Sequence, residues 1–213
     1  MENRFFTVSP PKNPAIKVQV ATGHFTTGSA HISHYIDVSE LKSSVAMAKG
    51  AAHELAVPLR ATTLVDMIVC MDGTEIVAAY LADELLHGGA MVINNGGEIR
   101  VVTPMNNTNG QLIFHQNVQE KISGCNVLLM VASISTGKTI HRIIECISYY
   151  GGNIVGISSI FSAIPHIDGV NVNSLFTCED IPDYYFYRSS DCVLCKEGHE
   201  LDAIVNSEGY TKI

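Results

Sequence analysis

Short apolar runs that alternate with helical spacings are the feature that most constrains the fold. "MIVC", "NVLLMVA" and "NIVGISSIF", at residues 67–70, 126–132 and 153–161, are strand-sized and rich in Val, Ile and Leu. Runs without polar alternation are typical of strands that are buried on both faces of a parallel sheet. The repeated order of strand and helix predicts an α/β fold with a mostly parallel central sheet flanked by helices.

The segments between these runs carry their own local patterns. Apolar spacing predicts a helix over residues 38–57 with Ser39 as its N-cap. Residues 63–89 predict a strand, a tight loop and a helix that begins at Thr74 and stops at Gly88 and Gly89. "AMVIN" predicts a short strand, and "EIRVVT" and "QLIFHQ" predict extended segments around the turn-rich "PMNNTNG", as a long hairpin or a mobile loop.

Charge and composition limit the classes of partner. The net charge of -8 repels a nucleic-acid backbone, and the longest apolar runs are far shorter than a membrane span. The first residues lack an apolar signal core, so we expect a cytoplasmic protein. Its six cysteines are then reduced thiols, and Cys70, Cys125 and Cys146, in or beside apolar runs, are expected to be core residues.

Two loops are placed to bind an anion, because ligands of parallel sheets collect where strands end and helices begin. Residues 71–75 and 133–139 each precede a helix, whose first backbone N–H groups and dipole favour negative charge. The second loop adds hydroxyls and a lysine. The candidate phosphate-binding residues are Ser133, Ser135, Thr136, Gly137, Lys138 and Thr139. We expect that a side chain at Gly137 would fill this cup.

The stretch from Ala132 to Thr139 also has the spacing A-x-x-x-x-G-K-T of a relaxed nucleotide P-loop. Only 74 residues follow Thr139, and the next strand ends without the acid that would hold magnesium. Gly137 is the one glycine of the loop, which disfavours a wrapped backbone cradle. A P-loop NTPase is therefore disfavoured, and a Ser/Thr-capped helix that binds no ligand stays an alternative.

Four segments in order resemble type I phosphoribosyltransferases, and among them the orotate enzymes. They are "GHFTTGSAHISHYIDV", "VCMDGTEIVAAYLADEL", "LLMVASISTGKT" and "CVLCKEGHEL", and residues 99–115 fall where that family has its flexible catalytic loop. The resemblance implies one domain over residues 1–213. It has an α/β core at about 41–165 and a small base-binding hood from about 15–40 and 170–213. It also implies a homodimer.

The same resemblance implies transfer of 5-phosphoribosyl from phosphoribosyl diphosphate to a nucleobase with Mg²⁺, as in pyrimidine nucleotide synthesis. Residues 133–139 would hold the 5′-phosphate. The diphosphate loop would be formed by Asp72, Gly73, Thr74 and Glu75, and the base would meet Phe25, Thr26, His31 and Tyr35. His24 and His34 belong to the same segment; these histidines could instead bind a metal or lie on the surface.

The chain departs from that family at positions that carry its chemistry. Val131 and Ala132 occupy the positions of two acids, and the loop "PMNNTNGQ" carries no lysine for the departing diphosphate. Lys138 and Arg100 are the candidate replacements, although Lys138 could equally be a surface residue. Asp72 would repel a diphosphate unless it bound a metal or turned away, or it serves only to close a turn. The alternative function is therefore a non-catalytic relative that binds a nucleotide or phosphorylated sugar.

Cys192 and Cys195 have the C-x-x-C spacing of half a zinc site, with His199 and Cys178 as possible further ligands. A redox pair and a metal-free turn are the alternatives. The aromatic run from Tyr184 to Tyr187 could stack on a base or pack against the end of the chain.

Overall fold

The architecture is taken from a computed structural model that describes residues 4–89, 91–109, 111–206 and 208–213. In this part of the chain no helix is both long and apolar enough to cross a membrane. The helices are α1 (Ser39–Ser43), α2 (Val45–Ala56), α3 (Glu75–His87), α4 (Gln116–Ile122), α5 (Lys138–Tyr149) and α6 (Val193–Lys196). The strands are β1 (Phe5–Val8), β2 (Val18–Thr26), β3 (His31–Asp37), β4 (Met67–Cys70), β5 (Arg100–Val102), β6 (Met105–Asn106), β7 (Leu112–Ile113), β8 (Asn126–Ile134), β9 (Asn153–Ser162), β10 (His166–Ile167), β11 (Val170–Thr177), β12 (Phe186–Tyr187), β13 (Ala203–Asn206) and β14 (Gly209–Lys212).

The core sheet has the strand order β10-β11-β9-β8-β4-β5, and every pair except β10 with β11 is parallel. This confirms the predicted α/β class with a mostly parallel sheet. The side chains of β8 alternate between two apolar clusters: Leu128, Met130 and Ala132 pack with α2 and α3, and Val127, Leu129 and Val131 with α4 and α5. Both faces of β8 are covered by helices, which explains why its sequence is continuously apolar.

A second sheet, here called the hood sheet, has the order β12-β3-β2-β13-β14, with β1 beside the first half of β2. It has an apolar cluster of its own that includes Phe25, Ile32, Tyr35, Ala203 and Val205. The hood sheet thus joins the N-terminal and C-terminal parts of the chain. It begins earlier than predicted, at β1, and the predicted hood segment from residue 170 includes β11, which pairs with β9 in the core sheet.

Several local predictions are corrected. The helix predicted over residues 38–57 is broken at Ser44, whose backbone is extended (φ -82°, ψ 121°), and Ser39 lies inside α1 rather than at its N-cap. Residues 91–94 form turns instead of the predicted strand "AMVIN", of which Ala90 lies outside the described residues. The hairpin predicted around "PMNNTNG" exists as β6 and β7 but is short, and Gly110 is not described.

The thiols predicted to be core residues differ in burial. Cys70 is fully buried in β4, whereas Cys125 and Cys146 are half-buried at the edge of the cluster under α4 and α5. All six cysteines lie outside disulfide bonds.

Candidate functional site

The site lies where neighbouring strands of the core sheet lead in opposite directions. From β4 the chain continues through α3 to β5 on one side, whereas β8, on the other side of β4, leads through α5 to β9. The loops after β4 and β8 therefore diverge and leave a crevice at the carboxyl ends of the strands. The two loops predicted to bind anions, residues 71–75 and 133–139, border this crevice, which Asp72 lines from the first loop and residues 133–139 line from the second.

The crevice contains two adjoining cavities. The main cavity, of about 510 Å³, opens between the core loops and the hood sheet. The smaller cavity, of about 80 Å³, lies over the loop before α5. The main cavity is lined by Thr27, Gly28, Ser29, Ile32, His34, Tyr35, Ile36, Asp72, Ser133, Ile134, Ser135, Lys138, Thr139, Arg142, Phe161, Tyr184, Val205 and Asn206.

Residues 133–139, the predicted phosphate cup, form one wall of both cavities. Gly137 is at the N-cap of α5 with φ +76°, a left-handed conformation that favours glycine. A Cβ at Gly137 would lie 3.3 Å from Ile164 Cδ1 and 3.5 Å from Ile167 Cδ1. The expectation that a side chain there would fill the cup is therefore wrong, because it would point at the apolar core. Glycine is needed for the backbone conformation.

The cup is closed on one side by the hood sheet. The hydroxyls of Ser29, in the turn between β2 and β3, and Thr136 are 3.4 Å apart. Lys138 and Arg142 line the main cavity from the first turns of α5. Arg142 was not predicted, although its i,i+4 spacing from Lys138 places both cations on one helix face.

The predicted diphosphate loop is a tight turn at the end of β4. Asp72 (φ 60°) and Gly73 (φ 74°) are both left-handed, and the Thr74 N–H donates to Met71 O (3.2 Å), as in a type I′ turn. Thr74 occupies the N-cap of α3, but its buried hydroxyl donates to Met71 O (2.7 Å) and to Met130 O of β8 (3.1 Å). Thr74 therefore joins the two strands instead of capping the helix.

Asp72 carries the one carboxyl group among the described residues that line the two cavities. Burial raises its pKa above the ordinary value, while Lys42 and the backbone N–H of Ala132 act in the opposite direction. Lys42 also donates to Asp72 O (2.8 Å), which places an unpredicted cation beside this loop. Val131 and Ala132 are 1% and 2% exposed, so the positions of the two missing acids are packed into the core.

The wall on the hood side differs from the one predicted for a base. Of the four predicted residues, Tyr35 lines the main cavity; Phe25 is buried in the hood cluster, and the Thr26 hydroxyl donates to its neighbour, Thr27 O. His31 lies beside Cys195, and its Nδ1 is 3.3 Å from Cys195 Sγ.

Three other rings line the cavity: His34 and Tyr184, which the sequence offered as possible base contacts, and Phe161, which it did not. His34 stacks on Tyr184 (centroids 6.0 Å apart), and Tyr184 packs against Phe161 (4.9 Å). Burial lowers the pKa of His34, more than the nearby Asp183 raises it, and burial raises the pKa of Tyr184. Both rings are therefore neutral near pH 7. Of the predicted aromatic run 184–187, Tyr184 is the residue that reaches the cavity.

Arg100 and the predicted catalytic loop lie away from the cavities. Arg100 pairs with Met67 at the start of β4, the opposite end from Asp72, and its guanidinium donates to Glu98 (2.5 Å). The β6–β7 hairpin is held against α5, where the Cys146 thiol donates to Leu112 O (3.3 Å). Lys138 is therefore the one of the two candidate catalytic cations that reaches the main cavity.

Comparison with known proteins rests on structure alone, since no family model and no curated protein matches the sequence. An orotate phosphoribosyltransferase from Mycobacterium tuberculosis superposes with a TM-score of 0.52 at 15% identity, over 76% of this chain and 91% of that one. A phosphoribosyltransferase from Corynebacterium diphtheriae gives 0.52 at 17%, over 76% and 90%. UMP synthase from Leishmania donovani gives 0.54 at 19%, over 75% of this chain, which spans only 34% of the synthase.

The fold is that of the type I phosphoribosyltransferases. The resemblance inferred from the four ordered sequence segments is confirmed at this level. Within the phosphoribosyltransferase fold, the cup, the turn at Asp72 and the cavity-facing side of the hood sheet are the parts that meet around the crevice.

Proposed function

We propose that this chain binds a 5-phosphoribosyl compound, either phosphoribosyl diphosphate or a nucleotide, and acts as a binding or regulatory protein. The supporting observation is the hydroxyl-rich cup at the start of α5, which opens into the main cavity beside Lys138 and Arg142. Unpaired N–H groups of a first helical turn, hydroxyls and two cations suit a phosphate dianion.

The size and lining of the main cavity support a ligand larger than phosphate. Its volume of about 510 Å³ lies within the range of about 300–1,000 Å³ that is usual for small-molecule sites. Tyr35 and His34 of the hood sheet and Tyr184 supply aromatic rings to the lining of this cavity. We assign the phosphate to the cup, the ribose to the crevice and the base to this aromatic wall.

The residues of the crevice do not fit a magnesium site of the kind the family resemblance implies. Mg²⁺ prefers carboxylate oxygens and substrate phosphates, and the two strand-end positions that would supply acids are the buried Val131 and Ala132. Asp72 is the remaining carboxyl group of the cavity lining, and it faces Lys42 and the Ala132 N–H. No step of the proposed function uses a magnesium ion.

Phosphoribosyl transfer, with orotate or another nucleobase as acceptor, is the second candidate. The specific observation in its favour is that Asp72 brings a carboxyl group to the backbone of Ala132, beside the strand-end positions of the missing acids. Lys42 and Lys138 would face the diphosphate. Transfer also requires compensation of several negative charges on the leaving group, and residues 103–115 contain no lysine or arginine.

Calorimetric titration with phosphoribosyl diphosphate, ribose 5-phosphate and orotidine 5′-phosphate tests the proposal, with unphosphorylated ribose as the control ligand. We expect binding of the phosphorylated compounds only, and a loss of about tenfold or more in Lys138→Ala. Lys49→Ala is the matched control, because Lys49 is exposed on α2 and lines neither cavity. Equal affinity in the two variants would contradict the assignment of the cup.

A turnover assay with phosphoribosyl diphosphate and orotate separates the two candidates. Binding without formation of orotidine 5′-phosphate supports the binding protein. Turnover that is lost in Asp72→Asn supports the transferase, and no affinity for any of the phosphorylated compounds overturns both.

We further propose that the protein is a homodimer, as the family resemblance implies, and that it is cytoplasmic. Exposed apolar side chains near the start of β4 and after α3, among them Leu64, Met91 and Ile93, provide a surface for a second copy. Analytical ultracentrifugation checks the proposed dimer, and a monomer at micromolar concentration would contradict it.

A further inference from the structure

Four potential metal ligands converge at the hood sheet, and none of them lines the main or the smaller cavity. His24 on β2, His31 on β3, Cys192 just before α6 and Cys195 within α6 each offer one ligand atom, and these atoms all lie within 4.8 Å of one another. The cysteines are the C-x-x-C pair identified in the sequence. His199 and Cys178, predicted as the further ligands, lie elsewhere: the His199 ring pairs with Glu197 (3.6 Å), and the Cys178 thiol donates to Ala163 O (3.7 Å).

Four of the six distances within the group match the edges of a tetrahedron around one ion, and the other two are at most 4.8 Å. His24 Nε2 is 3.1 Å from His31 Nδ1, 3.4 Å from Cys192 Sγ and 3.7 Å from Cys195 Sγ, and His31 Nδ1 is 3.3 Å from Cys195 Sγ. With Zn–N of about 2.0–2.1 Å and Zn–S of about 2.3 Å, tetrahedral geometry requires N–N edges of about 3.3 Å and N–S edges of about 3.6 Å. All four distances therefore agree with zinc to within a few tenths of an ångström.

The second ring nitrogen of His24 is held as a metal ligand requires. His24 Nδ1 lies 3.1 Å from His199 O and 3.2 Å from Glu200 O, so it carries a proton and donates to these carbonyls. Nε2 then presents its lone pair to the other three side chains. A histidine ligand typically has its other nitrogen bonded to a carbonyl or carboxylate, which fixes the tautomer and the orientation of the ring.

The polypeptide around the cysteines has little else to hold it in place. From residue 188 to residue 200 Cys192 is the one buried residue, and the local structure consists of a single 3-10 turn (Ser189–Asp191) and the four-residue helix α6. Such a segment buries too little apolar surface to order itself. Immediately after it, β13 enters the hood sheet beside β2 and supplies Val205 and Asn206 to the main cavity.

We propose that His24, His31, Cys192 and Cys195 form a structural zinc site that fastens the C-terminal segment to the β2–β3 hairpin. Both thiols release their protons to solvent on binding, so the two thiolates balance the charge of Zn²⁺ and the partly buried site is neutral. Four protein ligands complete a tetrahedral shell, as in structural sites, and leave no open position for a reacting water. The site is independent of the proposed phosphoribosyl ligand.

Metal analysis of the purified full-length protein, expressed with zinc and dialysed, tests this site. We expect about one zinc ion per chain, and a loss of at least about tenfold in zinc content in Cys192→Ser/Cys195→Ser. Cys125→Ser is the matched control, because Cys125 lies beside β8 and its thiol donates to Lys121 O, outside the group. It should keep the zinc of the unmodified protein.

Measurements on the unmodified protein keep the test valid if the double variant fails to fold. Replacement of zinc by Co²⁺ should produce the intense visible bands of tetrahedral cobalt with thiolate ligands, and thiol titration with a mercurial should release zinc in proportion to the two cysteines that bind it. The absence of bound zinc, octahedral cobalt spectra, or a Cys192–Cys195 disulfide found by mass spectrometry would each overturn the proposal. Zinc retained in the double variant would do so as well.

Discussion

Replacing Gly137 with Ala tests the cup while leaving all its polar groups in place. The residue has φ +76°, where a side chain costs about 1–2 kcal/mol. Reduced freedom of the unfolded chain offsets about 0.4–1 kcal/mol of this. The net cost is therefore about 1 kcal/mol, increased somewhat by the contact of the new Cβ with Ile164 Cδ1 at 3.3 Å. In a domain of this size 1 kcal/mol lowers the melting temperature by about 2–4 °C.

Gly124→Ala is the matched control for this change. Gly124 also has φ +76°, but a Cβ there would meet nothing within 4 Å, and the residue precedes β8 at the opposite end from the cup. We expect a similar loss of stability from the two variants. Only Gly137→Ala should lose affinity for ribose 5-phosphate, by about tenfold or more. The reason is that relief of strain at φ rotates the backbone of the cup and disturbs the bond from the His141 N–H to Gly137 O.

Thermal unfolding and calorimetric titration of the two variants measure the two effects separately. Equal affinities of the two variants for ribose 5-phosphate would refute the assignment of the cup. Both variants carry the same backbone strain, but only Gly137→Ala carries it at the proposed site. A melting temperature of Gly137→Ala equal to that of the unmodified protein would refute the left-handed conformation itself.

Three further predictions concern charge and burial. The affinity of the unmodified protein for ribose 5-phosphate should fall as salt rises, and Lys138→Ala should show a weaker salt dependence in titrations from low to high ionic strength. Burial raises the pKa of Asp72 in the folded state above its ordinary value of 3.8. Between these two pKa values the folded state binds more protons than the unfolded state. The free energy of unfolding therefore falls as pH rises through that window. Asp72→Asn should therefore be more stable than the unmodified protein at neutral pH, with no advantage below pH 3.8 in thermal melts; an unchanged difference across pH would contradict this. Thr74→Val should destabilise by about 1–3 kcal/mol in urea unfolding, because the carbonyls of Met71 and Met130 lose a buried donor, and a neutral effect would contradict the assigned bonds.

The parallel sheet could be predicted because its strands are buried on both faces. The continuous apolar runs of β4, β8 and β9 follow directly from helices on either side of the sheet. The break at Ser44 and the turns at residues 91–94 could not be predicted. At these positions tertiary contacts override the local spacing of apolar residues.

The candidate site likewise has a part that could be predicted from the sequence and a part that could not. The cup and the turn at Asp72 are contiguous in sequence and were found from their own residues. Lys42 and Arg142 were missed, because Lys42 contacts the turn at Asp72 from α1, Arg142 lines the cavity from the second turn of α5, and no local motif marks either residue. The histidine partners of Cys192 and Cys195 were missed for that reason too: they lie more than 160 residues away and meet the cysteines only in the folded hood sheet.

Binding and transfer depend on different parts of this crevice. The cup relies on the backbone and hydroxyls before α5, none of which requires an acid at the end of β8. Transfer requires a carboxylate that is free to act on the ribose. The Asp72 carboxyl group instead interacts with Lys42 and with the backbone N–H of Ala132 across the crevice. A group that joins the loop after β4 to the end of β8 shapes the crevice, and these contacts would oppose a role for Asp72 in transfer. Unless a ligand displaces these contacts, we expect the proposed site to bind a phosphoribosyl group without transferring it.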